Sequence, residues 1–205
     1  MKALGKGSIA SIVQVGLSIA WIVLWVFFIA WAVAAMSYLV FILLTTVGVI
    51  DPATIPAIDT NEQLRVQIDG IESGALSELK WTDWHIFGPA ILVGGVTIGG
   101  SLIIVGRLRR LFDSFSTGDP FRRENATHLR VIWITMVAIE LSRYVLLATL
   151  GVLLGMFGAP DSVASASFSI DGDNFSNWMS ILIVIVLAEV FREGARLKEE
   201  QELTI

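Results

Sequence analysis

Between Gly7 and Ile50 the chain runs for 44 consecutive residues without one charge. About 20 apolar residues are enough to cross a ~30 Å hydrocarbon core, so this stretch alone places the chain in a bilayer. Three further apolar stretches follow. Ile86 to Gly106 has no charge, Val131 to about Gly158 is broken only by Glu140 and Arg143, and Phe175 to Phe191 is broken only by Glu189. Four crossings are therefore expected. A β-barrel would instead need alternating segments of about ten residues, and none of these runs alternates. Composition agrees: 16% of the 205 residues are charged, against roughly 25% in a soluble domain, and mean hydropathy is +0.74. The predicted fold is an all-α integral membrane protein with four transmembrane helices.

The connecting stretches alternate in charge, and lysine and arginine set the orientation. The N-terminus carries Lys2 and Lys6. Residues 51–85 hold seven acids against Arg65 and Lys80. Residues 107–130 hold six arginines against Asp113, Asp119 and Glu124. Residues 159–174 hold three aspartates and no base, and the tail mixes Arg192, Arg196 and Lys198 with glutamates. The expected segments are a first span within 1–50, an outer loop at 51–85, a second span at 86–106, and a cytoplasmic elbow at 107–130. A third span at 131–158, an outer loop at 159–174, a fourth span at 175–191 and a cytoplasmic tail at 192–205 follow. Both termini are then cytoplasmic. At about 1.5 Å per residue, the first run exceeds one simple span. It reads as one long helix, or as a short surface helix near Ser8–Gln14 leading into a span from about Leu17. It is far longer than the 7–15-residue core of a cleavable signal peptide.

Both outer loops contain an alternating segment ending in Asp-Gly: Leu64 to Gly70 and Ala166 to Gly172. This is a strand signal, and the two segments are expected to pair into a small extracytoplasmic β element beside a helix-like Ile71–Leu79. Trp81, Trp84, His85 and Trp178 suit the outer interface, where amphipathic rings are favoured. In the elbow, Leu108, Leu111, Phe112 and Phe115 recur at helical spacing, so the second helix should continue until Thr117-Gly118 stops it. Asp119 and Pro120 suit the N-cap and first position of the next helix, which is expected to start at about Pro120.

The motifs Gly118-Asp119-Pro120-Phe121, Glu124-Asn125 and Leu129-Arg130 recur with a tail motif from Leu187 through Glu189, Phe191, Arg192, Gly194 and Arg196 to Lys198, and with Glu202-Leu203-Thr204-Ile205. Together they resemble the bacterial membrane family called domain of unknown function 2975. The resemblance covers the second to fourth spans and the tail; the first span and outer loops match in layout only. It implies a small four-span inner-membrane protein. Genes of such proteins often neighbour a small helix-turn-helix regulator, which implies a membrane-tethered regulatory partner. No catalytic residues come with the resemblance, and Arg122-Arg123 stand where the family often has Thr-Pro.

Chemistry-bearing groups are few. The chain has no cysteine, which excludes disulfide frameworks, thiolate metal sites, iron–sulfur clusters and thiol catalysis. Phosphate-loop, Gly-x-Ser-x-Gly and His-Glu-x-x-His motifs are absent from the sequence, and the expected topology puts His85 and His128 on opposite sides of the membrane. No enzyme activity, cofactor or metal is expected, and a net charge of −5 gives no reason to expect direct nucleic-acid binding. Glu140 and Arg143 share a helix face at membrane depth, where ionisable groups are costly unless paired. They read as an intramembrane charge pair that fixes packing, or as a functional polar core. Gly95-x-x-x-Gly99 and Gly151-x-x-x-Gly155 are helix-packing patterns. Beyond Phe191 the fourth helix should continue to about Glu202. Val190, Phe191, Gly194 and Leu197 should turn toward the elbow, with Gly194 closest to the Gly118-Asp119-Pro120 turn.

The expected interaction surface is cytoplasmic: Arg109, Arg110, Gly118, Asp119, Pro120, Phe121, Glu124 and Asn125 from the elbow, with Glu189, Phe191, Arg192, Gly194 and Arg196 from the tail. The leading expectation is a regulatory or sensory adaptor that holds a small cytoplasmic DNA-binding regulator. An accessory subunit of a larger membrane complex is the alternative, and a small transporter a third reading.

Overall fold

A computed structural model describes residues 9–51, 82–116, 121–157 and 172–202. They form four helices: α1 (Ile9–Thr46), α2 (Trp84–Ser116), α3 (Arg123–Phe157) and α4 (Gly172–Glu202). Each contains a stretch long and apolar enough to cross a membrane, from Ile12–Thr46 in α1 to Phe175–Gln201 in α4. The chain is a multi-pass membrane protein.

From Ile9 to Thr46 the first uncharged run is one long helix. Its C-terminus closes on Gly48, whose φ of +80° is the left-handed conformation that glycine adopts without penalty. The Gly48 N–H donates to the Thr45 carbonyl (3.2 Å), and the Val49 N–H donates to the Leu44 carbonyl (3.0 Å). These are the two bonds of a Schellman cap. α2 opens after Asp83, whose carbonyl accepts the Phe87 N–H at 3.2 Å. It continues past the apolar run and ends at Ser116, just before Thr117-Gly118.

Two expectations change. No strand occurs among the described residues, so the small β element is not supported. Leu64–Gly70 and most of Ala166–Gly172 lie outside those residues, while Gly172 opens α4 as helix. The third helix begins at Arg123 rather than at about Pro120. The Arg122 carbonyl accepts the Asn125 N–H at 3.0 Å, and Phe121 precedes the helix with its ring lying against α4. That tertiary contact outweighs the local preference for a helix start at Pro120.

The chain divides into two compact units. One comprises residues 1–28, 97–140 and 171–205. Its core is Leu111, Leu129 and Ile132, with Leu108, Phe115, Met136, Val184, Ala188 and Phe191 packed around it. Gly100 brings α2 against α3: a Cβ there would lie 2.6 Å from Ile139 Cδ1. The other unit comprises residues 29–96 and 141–170. There the Trp31 ring fills the space that side chains at Gly94 and Gly95 would take, and Tyr38 lies 6.0 Å from Phe87. Gly95 of the expected packing pair thus accommodates an aromatic ring, whereas Gly99 has nothing within 4 Å of an added Cβ.

Candidate interaction surface

The elbow and the end of α4 meet through aromatic rings. α2 carries Phe115 into its last turn because Leu108, Leu111 and Phe115 repeat at helical spacing and share the buried side. α4 carries Phe191 one turn beyond Leu187. The Phe191 ring stacks on Phe115 with centroids 5.8 Å apart and lies 5.5 Å from the Phe121 ring. Gly194 sits one turn further along α4, beneath the Phe121 ring. A Cβ at Gly194 would lie 2.5 Å from Phe121 Cδ1 and 2.8 Å from Cε1. Glycine in a helix interior costs about 1 kcal/mol relative to alanine; here its missing side chain is the space occupied by the ring.

Beneath the rings a polar contact ties the two arms of the elbow together. Asn125, in the first turn of α3, is 1% exposed. Its Nδ2 donates to Ser114 Oγ at 2.6 Å, and the Ser114 hydroxyl donates to the Leu111 carbonyl at 2.7 Å. A buried amide is costly without such bonds, so this geometry holds the first turn of α3 at one place on α2.

The outer side of the α4 extension is charged. Glu189 pairs with Arg192. Arg196 pairs with Glu193 at 2.6 Å and with Glu200 at 3.6 Å. All five side chains are well exposed, so each pair contributes only about 0.2–0.5 kcal/mol. The extension is held by its inner side instead, where Ala195 is 3% exposed.

The structure thus brings together Phe121, Phe191 and Gly194, with Asn125 buried beneath and Glu189, Arg192 and Arg196 on the neighbouring face of α4. Arg109 stands apart from this group, its guanidinium 5.7 Å from the Trp21 ring of α1. Arg110 and Glu124 are exposed. Gly118, Asp119 and Pro120 lie outside the described residues, so the expected contact of Gly194 with that turn does too; the contact observed is with Phe121. Of the expected inner stripe, Phe191 and Gly194 face the elbow and the other two do not. Val190 and Leu197 are 53% and 49% exposed, and Ala195 takes the buried place. Glu140 is buried within α3. Arg143, one turn on, has its guanidinium 5.4 Å from the adjacent Tyr144 ring.

Sequence reasoning missed Ser114 and Trp21. Ser114 follows Leu111 by three residues, so the helical period that marks Leu111 as buried also marks Ser114. Trp21 packs on Gly106, the last residue of the second uncharged run, where an added Cβ would lie 3.0 Å from the ring.

Residues 73–205 match the family described as Protein of unknown function (DUF2975). The chain belongs to this family. The matched stretch contains α2, α3 and α4 with the elbow and the α4 extension, and leaves α1 outside it. The family motifs Gly118 to Phe121, Glu124-Asn125 and Leu187 to Lys198 all fall within it. No curated protein and no solved structure matches the chain.

Proposed function

We propose that this protein is a non-enzymatic regulatory adaptor of the bacterial inner membrane, with the elbow and both termini in the cytoplasm. The elbow and the α4 extension form one platform for a soluble partner, and the outer stretches sense the envelope or a ligand there. The observation that carries this reading is the seating of α4 on the elbow through Phe191 and Gly194. A helix leaving a membrane can end in disorder; this one is packed on its inner side and presents an ordered row of charges on the other. The six arginines between residues 107 and 130 favour a cytoplasmic elbow. A small DNA-binding regulator is the partner that the family resemblance suggests.

Co-purification in mild detergent tests the proposal. The full chain should retain a soluble DNA-binding protein in stoichiometric amount. Gly194→Leu should insert into the membrane normally and lose that protein, because the added side chain collides with the Phe121 ring. Recovery of a stoichiometric set of membrane subunits instead, unaffected by Gly194→Leu, would contradict the adaptor and favour an accessory structural subunit.

A further inference from the structure

A second feature of the first unit lies away from the α4 platform, between α1 and α2. A groove of about 410 Å³ opens where the apolar run of α2 gives way to arginines. Its apolar half is Trp21, Leu102, Ile103 and Gly106; its polar half is Arg107, Arg109, Arg110 and Asp113. The geometry points to a binding site for one anionic phospholipid, its phosphate among the arginines and an acyl chain along Ile103.

Position and charge both favour this occupant. In a membrane-spanning helix, the step from an uncharged run to three arginines within four residues marks the headgroup level. Basic pockets between transmembrane helices at that level take anionic lipid headgroups. Three guanidinium groups face one carboxylate, and Asp113 already accepts a hydrogen bond from the Gln14 amide of α1. Arg109 is held over Trp21, which fixes a donor fork without neutralising it. Arg107 lies 3.5 Å from His128 Nδ1, and Arg110 is exposed. Leu102 is buried, whereas Ile103 is 48% exposed, giving an apolar strip that leads from the groove toward the hydrocarbon. A soluble anion would leave that strip unused; a zwitterionic lipid would set its own cation against the arginines.

The test is native mass spectrometry of the full-length chain in non-ionic detergent, titrated with phosphatidylglycerol or phosphatidylcholine. One phosphatidylglycerol should be retained per chain in preference to phosphatidylcholine. An arginine near an anionic headgroup contributes a factor of roughly five. Arg110→Gln should therefore weaken retention about fivefold, and the Arg107→Gln/Arg109→Gln/Arg110→Gln variant on the order of a hundredfold. Arg123→Gln/Arg130→Gln removes two charges from the elbow that do not line the groove and should leave retention unchanged. Equal retention of both lipids would overturn the site, as would loss of retention in Arg123→Gln/Arg130→Gln. Displacement of the lipid by an equal concentration of glycerol phosphate or of an acidic peptide would also overturn it. Should the triple variant fail to fold, the lipid preference of the unaltered chain and the Arg110→Gln comparison decide the matter.

Discussion

Asn125 carries more of the elbow than its type suggests. A polar residue two positions into a helix, beside Glu124 and after a turn, ordinarily faces water, yet this one is 1% exposed and donates to Ser114 on another helix. Removing one partner of a buried hydrogen bond costs about 1–3 kcal/mol. Asn125→Ala and Ser114→Ala should each lower stability by that order in detergent unfolding. Residues that share a bond couple by about 0.5–3 kcal/mol, so the double variant should be less destabilised than the sum of the two. Strict additivity would show that the pair does not hold the elbow. The sequence motif around Asn125 was legible, but its burial was not. Burial depends on a partner eleven residues away across a turn, and no local pattern reports it. Gly194 was more legible, because a glycine inside a charged helix is a local cost that calls for a close neighbour.

Among the elements, α4 shows where sequence periodicity runs out. Its end at Glu202 and the pairing of Arg196 with Glu193 and Glu200 follow from spacing alone. Which apolar residues turn inward does not. Apolar residues fall on both sides of α4, so Val190 and Leu197 look as fit for the interior as Ala188 and Ala195. Packing selects Val184, Ala188 and Phe191, with Gly194 and Ala195 further along; of the expected stripe Phe191 and Gly194 turn inward and Val190 and Leu197 do not. The docked extension should be protected from amide hydrogen exchange across Arg192–Glu200, since exchange reports local opening. Gly194→Leu should raise exchange there by at least tenfold while the apolar part of α4 stays protected. That is a loss of about 1.4 kcal/mol or more of local stability. Unchanged exchange would mean that the Phe121 contact contributes nothing to holding α4. The start of α3 teaches a related point: Asp119 and Pro120 are good local signals for a helix start, and the ring contact of Phe121 with α4 overrides them.

For the molecule as a whole, the four crossings were the most legible feature, because apolar stretches of about twenty residues with at most two charges have few alternatives to a bilayer. The family match from residue 73 onward agrees with where the recognisable motifs lie, and α1 enters the structure through physical contacts instead: Gln14 with Asp113, and Trp21 with Gly106 and Arg109. The two strand-like segments were drawn from alternation alone, a weak signal over seven residues, and apart from Gly172 they lie outside the described residues. The central claim is that the elbow and the α4 extension form one docked surface. Because the chain has no cysteine, a single double variant, Phe121→Cys/Gly194→Cys, tests it directly in native membranes. Oxidation should close an intramolecular disulfide between the two positions, since Phe121 Cγ, one bond from its Cβ, lies 3.4 Å from where a Cβ at Gly194 would stand, which puts the two Cβ positions near the separation a disulfide spans, whereas Phe121→Cys/Glu200→Cys should not cross-link. Free thiols at both positions after oxidation, each reactive toward a thiol reagent, would show that α4 does not rest on the elbow.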